Sequence, residues 1–168
     1  CTRIPNRYYP TQEAYLHAAT ELMQREYEAI VKAGFTLQVD CPEVAMSRNN
    51  EYAALSLPEF RKVVTLHGEM LNQATKNIPA DNMRIHVCWG RGEGPHTTDV
   101  PLKDIVDLVL KFRPAGITVV AANGRHEHEW KVWKDVKLPE GKVLIPGVID
   151  NTTNIVEHPE AVAERTVR

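Results

Sequence analysis

The sequence predicts a parallel α/β domain, residues 1–168 forming a single partial barrel, about half of a TIM-type (β/α)8 barrel. Three observations predict it. Hydrophobic periodicity switches between the helical and the strand period along the chain without interruption. No Gly-x-Gly-x-x-Gly follows the first strand, which disfavours a dinucleotide-binding doubly wound sheet. Each strand places polar residues at its carboxyl end, where barrel enzymes carry their sites. A complete barrel needs roughly 250 residues, so a 168-residue chain with four strand-like runs reads as an excerpt of a longer chain.

In order, Thr11 is the expected N-cap of a first helix, with Leu16, Ala19, Met23, Tyr27, Ile30 and Val31 on one face and Gly34 at its close. Residues 35–40 alternate, Leu37 and Val39 on one side and Gln38 and Asp40 on the other. Residues 43–57 are expected to be a long irregular segment, too polar for core, holding Arg48, Asn49 and Asn50. Pro58 opens a second helix whose apolar side carries Phe60, Val64, Met70, Leu71 and His67, and Ile78-Pro79 breaks it. The third helix is expected over 100–112, the third strand over 115–120, the fourth over 142–150, and a last helix from His158-Pro159.

The central strand is Met83-Arg84-Ile85-His86-Val87-Cys88-Trp89-Gly90, followed by a glycine-rich loop. Alternation puts His86 and Cys88 on one face, about 6.5 Å apart, and Ile85, Val87 and Trp89 on the other. An imidazole and a thiolate at that spacing suit zinc; a buried cysteine beside a strand histidine with no ion is the plain alternative. Reading the same phase along each strand gives four inward pairs: Gln38 and Asp40, His86 and Cys88, Thr118 and Val120, Val148 and Asp150. His126, Glu127, His128 and Glu129 read as a solvated loop that supports the site from outside it, with a substitute metal ligand as the alternative; Trp130 and Trp133 read as a hydrophobic staple, and His17, His67, His96 and His158 as surface or helix residues.

A net charge of -2 with interspersed charges leaves no basic footprint for nucleic acid or an anionic membrane. No apolar run approaches the roughly 20 residues of a membrane span, and the first ten residues lack a signal segment. Three cysteines without repeated spacing point to free thiols and a cytoplasmic setting. The expected partners are therefore small molecules.

Several segments together resemble the cobalamin-independent methionine synthase family: its catalytic carboxyl-terminal barrel and shorter stand-alone relatives, some of which pass alkyl groups to coenzyme M. They are Glu26-Tyr27 through Ala33-Gly34-Phe35-Thr36-Leu37-Gln38-Val39-Asp40-Cys41-Pro42, Ile85-His86-Val87-Cys88, Asn123-Gly124-Arg125-His126-Glu127-His128-Glu129-Trp130, and Pro146-Gly147-Val148-Ile149-Asp150 with Val156-Glu157. The resemblance implies a methyltransferase of methionine biosynthesis, like the enzyme that joins 5-methyltetrahydropteroyltriglutamate to homocysteine. It implies Zn2+ on His86 and Cys88, a homocysteine-like thiol, a folate-like methyl donor, and Asp40 holding the thiol substrate's amino group. Gln38 and Asp150 complete the expected substrate contacts. For Asp40 a loop-capping role is the alternative, and for Asp150 a helix-capping one.

The family completes its ion with a glutamate on the next strand and a second, later cysteine. Here Val120 stands at the glutamate's position, and the cysteine's place lies beyond Arg168. Cys41 replaces a residue that is acidic in the synthases. Two alternatives follow: a truncated or degenerate relative without catalysis, and a metal-free lyase resembling uroporphyrinogen decarboxylase, which would have no use for a soft ligand pair. Four strands with two open edges further predict a homo-oligomer or a piece of a longer chain.

Overall fold

The structure is a computed structural model that describes residues 4–92 and 94–168. Strands β1 (Leu37–Asp40), β2 (Met83–Val87), β3 (Gly116–Val120) and β4 (Val143–Gly147) form one all-parallel sheet in the order β1-β2-β3-β4. Spatial order follows chain order with no reversal, so the sheet lacks the switch point at which doubly wound folds bind ligands. These four strands make an open sheet, with β1 and β4 at its edges.

Helix α1 (Gln12–Lys32) begins as expected. Thr11 Oγ1 accepts from the Ala14 amide at 3.1 Å, and Gly34 reverses the chain at φ 89°, a conformation that costs glycine little. Helix α2 (Leu57–Ala74) is closed by a capping box in which the Glu59 carboxylate accepts from the Ser56 amide and hydroxyl at 2.8 and 2.6 Å. At Gly68 of α2 a Cβ would stand 2.2 Å from the Phe112 ring, so the glycine sets how closely the helix seats on the core.

Burial is one-sided. Leu37, Val39, Met83, Ile85, Val87, Ile117 and Val119 are all buried with Phe60, Val64, Leu71 and Ile105 in one core on the helical side. The opposite face carries Gln38, Asp40, His86, Thr118, Val120, Val143 and Ile145, and none of these is buried. Period 2 in the sequence thus became two environments, a dry face that holds the fold and a wet face free for chemistry.

Three segments depart from expectation. Residues 100–112 form a 3-10 turn (Leu102–Asp104) and a four-residue helix α3 (Val106–Val109). Their apolar residues are buried around almost the whole circumference, and the Leu102 amide is taken by Glu129 Oε1 at 2.7 Å, so tertiary contacts replace a regular helix start. Residues 43–57 are partly core: Val44 and Ser47 are buried in two successive 3-10 turns, and Ala45 is buried between them. Arg48 donates to the carbonyls of Tyr52 and Ala53 at 2.9 and 2.8 Å with its guanidinium over the Phe60 ring, which makes it a clamp on that loop. Finally, the fourth strand is shorter than expected and its phase differs. The register Gly116↔Val143, Thr118↔Ile145 and Val120↔Gly147 places Val143, Ile145 and Gly147 on the open face. Val148 and Asp150 therefore do not form the inward pair of that strand; they follow its end. Helix α4 (Val132–Asp135) precedes β4 in the chain, and α5 (Pro159–Thr166) follows it with His158 as its N-cap. No helix among the described residues is long and apolar enough to cross a membrane.

Candidate metal centre

Asp40 is the last residue of β1 and is in register with His86 of β2. Both side chains point to the open face, and Cys88 follows on the same face one residue past the end of β2. One ligand atom from each of Asp40, His86 and Cys88 lies within 4.8 Å of the others. Asp40 is exposed, and His86 and Cys88 are half-buried.

The histidine is oriented by its neighbour on β3. His86 Nδ1 sits 2.9 Å from Thr118 Oγ1, and that hydroxyl donates its single proton to the Ile85 carbonyl at 3.1 Å. The hydroxyl can then only accept from the ring, so Nδ1 carries the proton and Nε2 presents a bare lone pair. Burial pushes the Cys88 thiol above its ordinary value, opposed by a hydrogen bond from the Gly90 backbone, and the Asp40 charge pushes the same way as burial. Alone, this thiol stays protonated at neutral pH. A cation would favour the thiolate by the same Coulomb logic, and thiolate, imidazole and carboxylate are the donor types that zinc accepts. Gly90 has φ 84°, and a Cβ there would come within 2.7 Å of Met46 Sδ, so the turn that returns its amide to Cys88 is built for glycine.

The three residues line a cavity of about 270 Å³ together with Arg91, Thr118, Val120 and Asp150. Val120 is half-buried, and the β2–β3 register carried one step past Val87↔Val119 puts it level with Cys88. Gln38 shares the face but lies one pair further from the carboxyl ends, outside the cavity lining. Asp150 enters from the loop after β4 rather than from the strand. Its carboxylate accepts from the Thr152 amide and hydroxyl at 2.9 and 2.7 Å, and its own amide donates to Glu157. Asp150 thus caps its own loop and lines the cavity at the same time. Asp40 caps nothing: among the described residues its carboxylate accepts no hydrogen bond and joins no ion pair. Cys41, next to it, turns to the helical side, where burial raises its thiol well above the ordinary value.

The segment 126–129 is not a solvated loop. His126 is 5% exposed and Glu129 7%, and they belong to a network that sequence reasoning missed. His126 Nδ1 lies 2.9 Å from Glu129 Oε2, His126 Nε2 lies 3.0 Å from Asp99 Oδ2, and Asp99 also binds His96 Nδ1 at 2.9 Å. His96 is therefore no surface residue. The available signal was the repeated spacing of three between His96 and Asp99 and between His126 and Glu129. Arg125 adds a bond to the Gly90 carbonyl at 3.1 Å, so this network holds the loop that follows Cys88. His128 is exposed, and Glu127 pairs with Arg165 at 3.8 Å; neither reaches the cavity.

No protein-family model, no curated protein and no solved structure matches this chain.

Proposed function

We propose that the chain is the metal-carrying part of a zinc-dependent enzyme that transfers a methyl or alkyl group to a small thiol. The observation that carries this reading is the convergence of His86, Cys88 and Asp40 at the carboxyl ends of adjacent strands, over a cavity and on the face that the core leaves free. His86 offers Nε2, and Cys88 offers sulfur. Zinc, when bound, supplies the positive charge that keeps a thiol substrate in its nucleophilic thiolate form at neutral pH. In the transfer, the sulfur forms a bond to the donor's methyl carbon, that carbon's bond to its carrier breaks, and the carrier leaves with the electron pair. The thiol's proton goes to solvent, and the departing carrier takes one up from solvent in its place. Arg91, Asn123 and Asp150 line the cavity where the polar parts of thiol and donor would be oriented. A homocysteine-like thiol and a folate-like donor follow from the sequence resemblance, a barrel architecture shared with further β/α units from the strand and helix pattern, and a cytoplasmic setting from the free cysteines.

The competing reading is a relative that binds a ligand without catalysis. It draws on Val120, an apolar residue in the cavity wall where a carboxylate ligand is expected.

The test is a mass-spectrometric assay of thioether formation, with zinc-loaded chain, homocysteine or coenzyme M, and a methyl-folate or an epoxide. Product that disappears with the chain carrying His86→Ala and Cys88→Ala supports transfer. Zinc bound at these residues with no product from any pair favours the non-catalytic relative.

A further inference from the structure

We infer that the third protein ligand of the metal is Asp40, so that the site is built on β1 and β2 and position 120 is dispensable to it. This rests on the reading that His86 and Cys88 hold a metal. A tetrahedral zinc with bonds of 2.0 to 2.3 Å keeps its ligand atoms about 3.3 to 3.8 Å apart, and the three atoms here lie within 4.8 Å before any ion draws them together. The widest of these separations exceeds the tetrahedral spacing by at most about 1 to 1.5 Å, and the register sets Asp40 beside His86. The carboxylate is uncommitted, with no hydrogen bond or ion pair among the described residues to be broken on coordination. Val120 has no donor atom, so β3 contributes differently: its Thr118 holds Nδ1 of His86 and leaves Nε2 as the nitrogen free to coordinate.

Charge supports the same assignment. A carboxylate, a thiolate and a neutral imidazole bring a divalent cation to zero net charge, which leaves one coordination position able to take an anionic thiolate from the cavity. With only His86 and Cys88, two positions would open to water and the ion would be weakly held. Asp40 thus turns a two-ligand remnant into a three-ligand open site of the kind used in catalysis.

Cobalt titration of the full chain tests this. Co2+ is the probe because its visible bands report tetrahedral geometry and its near-ultraviolet band reports sulfur ligation. The expected result is a one-to-one tetrahedral complex whose affinity falls by about 100-fold in Asp40→Ala, at least the upper end of what an outer-sphere partner costs. Thr118→Val should cost about 10- to 100-fold with the sulfur band retained, and Thr118→Ser should restore most of it. Val120→Ala should leave the Co2+ affinity and the sulfur band as in the parent. Since Asp40 is exposed and unbonded, circular dichroism should show Asp40→Ala folded. If Asp40→Ala binds Co2+ with unchanged affinity and spectrum while Cys88→Ala does not bind, the inference fails and the two-residue site stands. If Cys88→Ala binds as the parent does, the underlying metal reading fails instead.

Discussion

The imidazole of His126 lies flat against the indole of Trp89, with ring centroids 4.1 Å apart and planes 18° from parallel. Trp89 follows Cys88 directly, points to the opposite side of the sheet, is fully buried, and donates its indole N–H to the Val100 carbonyl at 2.7 Å. The stack therefore fastens the segment after β3 to the residue next to the candidate ligand. It couples the core to the candidate site across one peptide bond.

Stability should depend on the polar edges of His126 and not only on its ring. Replacing it by Phe keeps the stack and the volume but removes the ring nitrogens that pair with Glu129 Oε2 and Asp99 Oδ2 in a dry setting, while Asp99 keeps His96 and Glu129 keeps the Leu102 amide. Breaking a buried pair in this way costs about 3 kcal/mol, which for a domain of this size lowers the melting temperature by roughly 6 to 12 °C. A Phe variant that melts with the parent would mean that stacking alone holds the loop.

Placing a carboxylate at position 120 should close the site. With Asp40, His86 and Cys88 already present, Val120→Glu adds a fourth protein donor level with Cys88, so zinc should bind more tightly while an added thiol no longer perturbs the Co2+ spectrum. If the variant instead loses a few kcal/mol of stability without gaining metal affinity, the side chain at 120 does not reach the cluster.

His67, on α2, gives the fold an acid-sensitive point. Burial lowers its pKa from 6.5 to about 4, and its Nδ1 is buried without a hydrogen-bond partner. The unfolded chain takes up a proton near pH 6.5 that the folded one refuses until about pH 4, so stability present above pH 6.5 is lost as the pH falls through that window. The loss from this residue is at most about 3 kcal/mol. Urea denaturation at pH 7 and pH 4.5 should show a smaller acid loss in His67→Leu than in the parent, and equal losses would refute the assignment.

Self-association should proceed through the open face. Val143 is 57% exposed and Ile145 36%, and Ile149 beyond them is exposed as well. The free edge of β4 is blunted: Val143 N–H bonds towards β3, so by alternation the N–H that Pro146 lacks would have pointed outward, where another strand would dock. Light scattering at micromolar concentration should give a mass above the monomer that falls in Ile145→Lys. A monodisperse monomer in both proteins would show that this face needs no cover.

Local pattern was enough to show that strands and helices alternate, that Leu37, Val39, Ile85 and Val87 face the core, and that His86 and Cys88 share the other side. Those features follow from side-chain period and backbone geometry, which neighbours along the chain define without help from distant residues. Thr11 and Gly34 bounded α1 for the same reason, since caps act within one turn.

What only the tertiary structure decided depends on contacts between distant segments. Register, not alternation, put Asp40 beside His86 and set the Thr118 hydroxyl to accept from Nδ1 of that ring. It also reversed the phase read for β4, because the strand ends at Gly147 and the loop delivers Asp150 from outside. Residues 126–129 looked solvated because they are charged, yet Glu129 is buried beside His126 and the Leu102 amide. A carboxylate goes inside only where donors from other segments offset its lost hydration, and the positions of those donors are a property of the folded chain.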